Sequence, residues 1–206
     1  MLQHFTDATR VVERSDGSFV ATFDRSWWVV LGPNGGIIAA LLVRAAQLKV
    51  GEHRAPRTIT VHYIRPPAEG EVQIEVTVDQ SGRTVSFLSL RMFQNERLIA
   101  SALVALADPR ETPFAWEQRS PPRTLPIEQA FMMEGEGVDV PIRHRWDQAW
   151  TIGVPGEPDT TTVEGYEGGG WLRLSDPAPY DAPLLAAMAD SWVPAVMVHT
   201  DRPIHT

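Results

Sequence analysis

Asp190 is the only formally charged residue between Ala182 and Thr200, in the run Pro183-Leu184-Leu185-Ala186-Ala187-Met188-Ala189-Asp190-Ser191. At helical spacing its neighbours are Ala186, Ala187, Val193 and Pro194. Apolar surroundings disfavour the charged form of a carboxyl group, so its pKa rises. That tuning suits a general base or a residue that holds an attacking water. The alternative is structural: Asp190 accepts hydrogen bonds from Ser191 or the Trp192 indole, or faces water at a helix end. A second candidate is Gly35-Gly36, after Gly32-Pro33-Asn34. Each glycine inside a helix costs about 1 kcal/mol relative to alanine, so a bare backbone must be useful there. Amides at a helix start carry partial positive charge and could stabilise the oxyanion formed when water attacks a carbonyl. Glycine would let a substrate approach them closely. Equally, the pair would let the helix start pack tightly against Trp27 or Trp28, with Asn34 as N-cap.

Other residues are candidates by type. His62 sits mid-strand beside Tyr63 and reads as a strand histidine or a base. Arg65, before Pro66-Pro67, reads as a surface arginine or a partner for a phosphate. Trp28 is a candidate for lining a substrate site, and the aromatic residues around both apolar segments suit a branched or aromatic acyl group as well as a fatty one. His144, His199 and His205 lack metal-ligand spacing and there is no cysteine, so neither a metal nor a cofactor is expected. No Gly-x-Ser-x-Gly elbow occurs, which argues against a serine hydrolase.

Composition narrows the class. The 206 residues are 43% hydrophobic and 21% charged, ordinary for a globular protein with a sizeable core. A net charge of -8 argues against nucleic acid as the partner. The opening MLQHFTDATRVVERSDG has no apolar signal core, so a cytoplasmic location is expected. No apolar run is long enough to span a membrane.

The elements that must position these residues follow from periodicity. Ser18–Asp24 alternates as a strand, and Trp27–Leu31 is a short apolar run. Gly35 to about Val50 is helical, closed by Gly51, and its first two turns are apolar all round, the mark of a buried helix. Strands are expected over Arg57–Arg65, Gly70–Gln80, Val85–Gln94 and Leu98–Leu106, with Asn95-Glu96-Arg97 as a hairpin tip. Such short spacing implies an antiparallel meander wrapped round the helix. Prolines at 109, 113, 121, 122, 126 and 141 mark a connector, with a short helix near Ile127–Met133. Beyond it, Ile142–Ile152, Thr160–Tyr166 and Trp171–Leu174 read as strands, with Gly168-Gly169-Gly170 as a bulge or turn. Leu184–Val193 reads as a second apolar helix, capped by Asp181 with Pro183 in its first turn. The order of tryptophan-containing strand, Gly/Pro loop and apolar helix occurs twice and suggests an internal duplication.

Trp27-Trp28 near Gly32-Pro33-Asn34-Gly35-Gly36, then Ala39-Ala40-Leu41-Leu42, then Val61-His62-Tyr63-Ile64-Arg65-Pro66-Pro67, resembles the N-terminal half of acyl-CoA thioesterases of the double-hotdog, thioesterase II-like family. Leu185–Ser191 is similar to the central helix of that family's second hotdog, with Asp190 at its carboxylate. The resemblance implies an α+β fold of two tandem hotdogs, each an antiparallel sheet wrapped round a long buried helix. It implies hydrolysis of acyl-CoA by water that a carboxylate, a Thr or Ser and a Gln hold. The last two positions fall beyond residue 206, so the second hotdog is expected to be incomplete at its C-terminus. The expected organisation is an N-terminal hotdog over 1–112, a connector over 113–140 and the start of a second hotdog over 141–206. The site would comprise Asp190 as the catalytic residue, with Trp28, Asn34, Gly35, Gly36, His62 and Arg65 binding substrate. Two alternatives stand beside hydrolysis: a non-catalytic acyl-binding or assembly protein, and a hotdog enoyl-CoA hydratase. The hydratase needs an Asp-x4-His spacing that neither helix has. Hotdog sheets associate through their edges, so a homo-oligomer is expected.

Overall fold

A computed structural model describes residues 4–114, 116, 124–132, 140–154 and 168–194. The chain forms two compact units. The first takes in Met1–Glu111, Val140–Ile142 and Asp176–Asp190, the second Thr112–Asp139, Arg143–Ser175 and Ser191–Thr206.

In the first unit a short helix α1 (Phe5–Ala8) and strands β1 (Val12–Glu13) and β2 (Phe19–Phe23) precede the helix α2 (Gly35–Val50). The Asn34 side chain caps α2 by accepting from the Gly36 amide, and Gly51, at φ +97°, closes it. Every residue from Gly36 to Val43 is buried, as its uniformly apolar sequence requires. Four strands follow: β3 (Ala55–Tyr63), β4 (Gly70–Ser81), β5 (Val85–Gln94) and β6 (Arg97–Ala107). All pairings are antiparallel, and α2 packs against the face carrying Ile74, Leu88, Leu90, Met92, Val104 and Leu106. The β5–β6 turn is the two residues Asn95 and Glu96, both at positive φ, as a two-residue hairpin of this twist demands.

The strand order is β1-β2-β4-β5-β6-β3. The expected four-strand meander is therefore corrected: β4, β5 and β6 form one, but β3 pairs with β6 and not with β4. Between Tyr63 and Gly70 the chain crosses three strand spacings, about 14 Å. Extended residues reach about 3.3 Å each, so the connector is long enough to cross. Its Pro66-Pro67 pair lacks the amide donors of a tight hairpin.

Helix α3 (Ala182–Met188) also belongs to this unit and packs against α2. Asp181 caps it by accepting from the Leu184 amide. The helix is shorter than expected. Pro194 disfavours helical backbone at Val193 and would clash with the carbonyl four residues earlier. The chain tightens instead, the Asp190 amide donating to the Ala187 carbonyl at 3.2 Å. Asp190 thus lies two residues past the helix rather than on it.

Asp181 has a second partner, the Arg44 guanidinium on α2 at 3.2 Å, and Arg44 also donates to the Thr9 hydroxyl at 3.3 Å. Asp181 therefore both caps α3 and ties it to α2. Asp181→Ala is expected to lower the unfolding free energy by about 1 kcal/mol, most of it from the lost cap because the ion pair is partly exposed. Urea midpoints check this, and an unchanged midpoint would deny the cap a role in stability.

The second unit carries the antiparallel strands β7 (Phe131–Met132), β8 (Trp146–Ile152) and β9 (Gly169–Leu174), in the order β7-β8-β9. The helix expected near Ile127–Met133 is one 3-10 turn, Ile127–Gln129, before β7. The strand expected from Ile142 begins at Trp146, after a 3-10 segment over Pro141–Arg145. The register slips between Trp150 and Ile152, opposite Gly170 and Gly169. Gly170 is obligatory there, since a Cβ would collide with the Ala149 carbonyl oxygen. The strand expected over Thr160–Tyr166 lies outside the described residues. No helix among the described residues is long and apolar enough to cross a membrane.

Candidate functional site

The start of α2 is where the candidate residues meet. The turn before it is held by the Asn34 amide donating to the Trp27 carbonyl at 3.0 Å. Asn34 is buried, and its side-chain oxygen accepts from the Gly36 amide at 2.9 Å. Its side-chain NH2 points the other way, donating to the Asp190 backbone carbonyl at 2.8 Å and to Asp190 Oδ2 at 3.0 Å. The Gly36 amide also donates to Asp190 Oδ2, at 2.9 Å. The partially positive end of α2 is therefore occupied by a carboxylate from the other end of the sequence.

Two opposed effects act on Asp190. Burial of the group is the larger and raises its pKa above the usual 3.8, while hydrogen bonds from Gly36, Asn34 and Gly35 pull it down. The residue as a whole keeps an exposed surface. Its carboxylate is thus enclosed where it meets α2 while the residue remains reachable by water. A carboxylate so placed can accept a proton from a water and still be oriented by fixed donors.

The two glycines do different work. A Cβ on Gly36 would lie 2.5 Å from the Ala187 carbonyl oxygen and 3.0 Å from Ala187 Cα. The wall it meets is α3 backbone, not the tryptophans that the sequence suggested. A Cβ on Gly35 would lie 2.9 Å from Asp190 Oδ2 and 3.0 Å from Tyr63 Cζ. The expectation that these amides await an oxyanion is altered at Gly36, whose N–H already serves both Asn34 and Asp190.

The structure brings Asn34, Gly35, Gly36 and Asp190 together. Among the described residues, no hydrogen bond links Trp28, His62 or Arg65 to them. Trp28 is buried, edge-on to the Phe23 ring at 6.4 Å with the Arg25 guanidinium 5.9 Å from its own ring. Arg65 is exposed and donates to the Leu98 carbonyl at 2.8 Å. His62 is exposed, opposite Ser101. Its neighbour Tyr63 points to the other face of β3, as strand alternation requires, and its hydroxyl donates to the Gly35 carbonyl at 2.9 Å. Tyr63 is the site residue that sequence reasoning passed over. The signal was present in the alternation of Val61-His62-Tyr63, which puts only one of the two rings on the helix side.

The comparisons with known proteins bear on this geometry. Residues 24–107 match the acyl-CoA thioesterase N-terminal domain family, a span that includes Asn34, Gly35, Gly36 and Tyr63 but not Asp190. No curated protein matches the sequence. Among solved structures, a conserved protein of unknown function with a hotdog fold from Alicyclobacillus acidocaldarius superposes with a TM-score of 0.85 at 24% identity, over 98% of this chain and 75% of that one. A thioesterase II candidate from Thermobifida fusca gives 0.82 at 24% identity, over 97% of this chain and 76% of that one. The acyl-CoA thioesterase II TesB2 of Mycobacterium marinum gives 0.68 at 16% identity, over 91% of this chain and 68% of that one. Residues 24–107 thus carry an acyl-CoA thioesterase N-terminal domain, and the chain shares the hotdog fold of these structures.

Proposed function

We propose that the chain hydrolyses acyl-CoA thioesters by direct attack of a water that Asp190 activates. The observation that carries this reading is the Asp190 carboxylate, held on the Gly36 amide and the Asn34 side chain, with its pKa raised by burial. The domain match over residues 24–107 supplies the reaction class. In the proposed step Asp190 takes a proton as the water oxygen bonds to the thioester carbonyl carbon. The tetrahedral intermediate then collapses, the carbon–sulfur bond breaks, and the proton goes to the departing CoA sulfur. The products are a carboxylic acid and free CoA. Gly35 lies beside the carboxylate and is the glycine placed nearer the substrate.

Release of free thiol from a panel of acetyl-, medium-chain, branched and aromatic acyl-CoAs tests this. Turnover of at least one member, saturable and abolished in Asp190→Asn, is the expected result. A second reading has its own support: the Gly36 amide and the Asn34 NH2 are both engaged by Asp190 inside the protein, as in a purely structural cap. Saturable binding of an acyl-CoA without hydrolysis of any would favour that acyl-binding protein instead.

Assembly as a homo-oligomer is part of the same proposal. It is supported by β3, a nine-residue strand that among the described residues is hydrogen-bonded to β6 on one side only. Sedimentation should give a species of at least twice the 22.9 kDa chain mass, and a clean monomer at micromolar concentration would count against it.

A further inference from the structure

The Gly35–Gly36 peptide group is bonded at both poles. Its carbonyl oxygen accepts from the Tyr63 hydroxyl at 2.9 Å, and its N–H donates to Asp190 Oδ2 at 2.9 Å. Tyr63 and Asp190 also flank the same missing side chain, since a Cβ on Gly35 would touch both. A hydrogen bond to an amide carbonyl draws electron density from nitrogen to oxygen and makes the N–H a stronger donor. We infer that Tyr63 is the positioning residue for Asp190, acting through the Gly35–Gly36 peptide group.

The bond is not forced by burial. Tyr63 is 53% exposed, so its hydroxyl could be satisfied by water. Its ring end nevertheless packs on Gly35 beside Asp190. Burial of that end, and then the Asp190 charge, push the phenol up to about 12. The hydroxyl therefore remains a donor wherever the enzyme would work. Among the described residues, the groups bonded to the Asp190 carboxylate are Asn34 and the α2 amides. The nearest basic residue on α2 is Arg44, which is engaged with Asp181 and Thr9.

The inference rests on Asp190 being the working carboxylate, so its test has one readout that needs no turnover. The carboxyl carbon of Asp190 is followed by 13C NMR across pH, with the signal assigned by its loss in Asp190→Asn. In Tyr63→Phe the Gly36 N–H becomes a weaker donor and the ionised carboxylate loses support. The Asp190 midpoint should move up by about half a pH unit. 3-Fluorotyrosine at position 63, a more acidic phenol and a stronger donor, should move it down. Thermal melting should be nearly unchanged in both, because Phe fills the same exposed position. On any acyl-CoA that is hydrolysed, Tyr63→Phe should lower kcat about threefold to tenfold with KM little changed, and shift the acid limb of the pH profile upward. An Asp190 midpoint that does not move in either variant overturns the inference. A midpoint that moves as stated while no acyl-CoA is hydrolysed leaves the relay standing and defeats the proposed hydrolysis. Full activity in Asp190→Asn defeats the hydrolytic role of Asp190, and with it any role of Tyr63 in turnover.

Discussion

Asp190→Asn is expected to lower kcat by on the order of a hundredfold or more while KM changes little, because the lost interaction belongs to proton transfer in the transition state. Asn has the same shape, and its side-chain oxygen can still accept from the Gly36 amide and the Asn34 NH2, which hold Asp190 Oδ2 at 2.9 and 3.0 Å. Stability should respond in the opposite direction. Burial raises the Asp190 pKa in the folded state above 3.8, so the folded protein holds that proton more tightly than the unfolded chain. Such a group favours folding most below pH 3.8 and loses that contribution as pH rises through its folded-state value. At pH 7 Asp190→Asn should therefore melt no lower than the parent, and any gain should shrink in acid. The same displacement should shift the acid limb of any Asp190-dependent activity upward from that of an ordinary aspartate. An inactive variant that is also markedly less stable at pH 7 would return Asp190 to a structural role, as would a kcat within twofold of the parent.

Gly36→Ala carries the largest expected effect on stability. Helix propensity alone favours alanine by up to about 1 kcal/mol. The site reverses that sign. The new methyl would lie 2.5 Å from the Ala187 carbonyl oxygen and 2.7 Å from Asn34 Oδ1. Ala187 offers backbone, which cannot rotate away, so α3 must move off α2. Overpacking of this kind typically costs about 1–3 kcal/mol. We expect a net loss of roughly 2 kcal/mol, with impaired turnover because Asp190 follows α3 directly. Gly35→Ala meets the ends of two side chains, Asp190 and Tyr63, which can shift. It should therefore melt closer to the parent but lose Asp190-dependent activity and the stabilisation given by a CoA thioester analogue. Melting curves with and without that analogue distinguish the two. A Gly36→Ala protein as stable as the parent would deny the close approach of α3 to Gly36 a role in stability.

What the sequence determined by itself is what neighbours along the chain decide. The all-apolar run after Asn34 and the closing Gly51 bound α2 at Gly35–Val50, because helix ends are set by capping residues within a turn. Alternation located β4, β5 and β6 to within a residue or two, and Asp181 with Pro183 marked the start of α3. The isolation of Asp190 among apolar neighbours already foretold a raised pKa. Everything that depends on distant partners came only with the tertiary structure. Strand alternation says that His62 and Tyr63 face opposite ways, but which of them faces α2 depends on β3 lying beside β6, and short connectors allow either strand order. Asn34 reads locally as a cap, and its second task, holding Asp190 across 156 residues, exists only because α3 packs on α2. The wall behind Gly36 is likewise Ala187, a residue no local pattern connects to it. Capping and periodicity are short-range interactions and are written in adjacent residues, whereas the site is made by the packing of two helices and an edge strand, which only the folded chain brings within hydrogen-bonding distance.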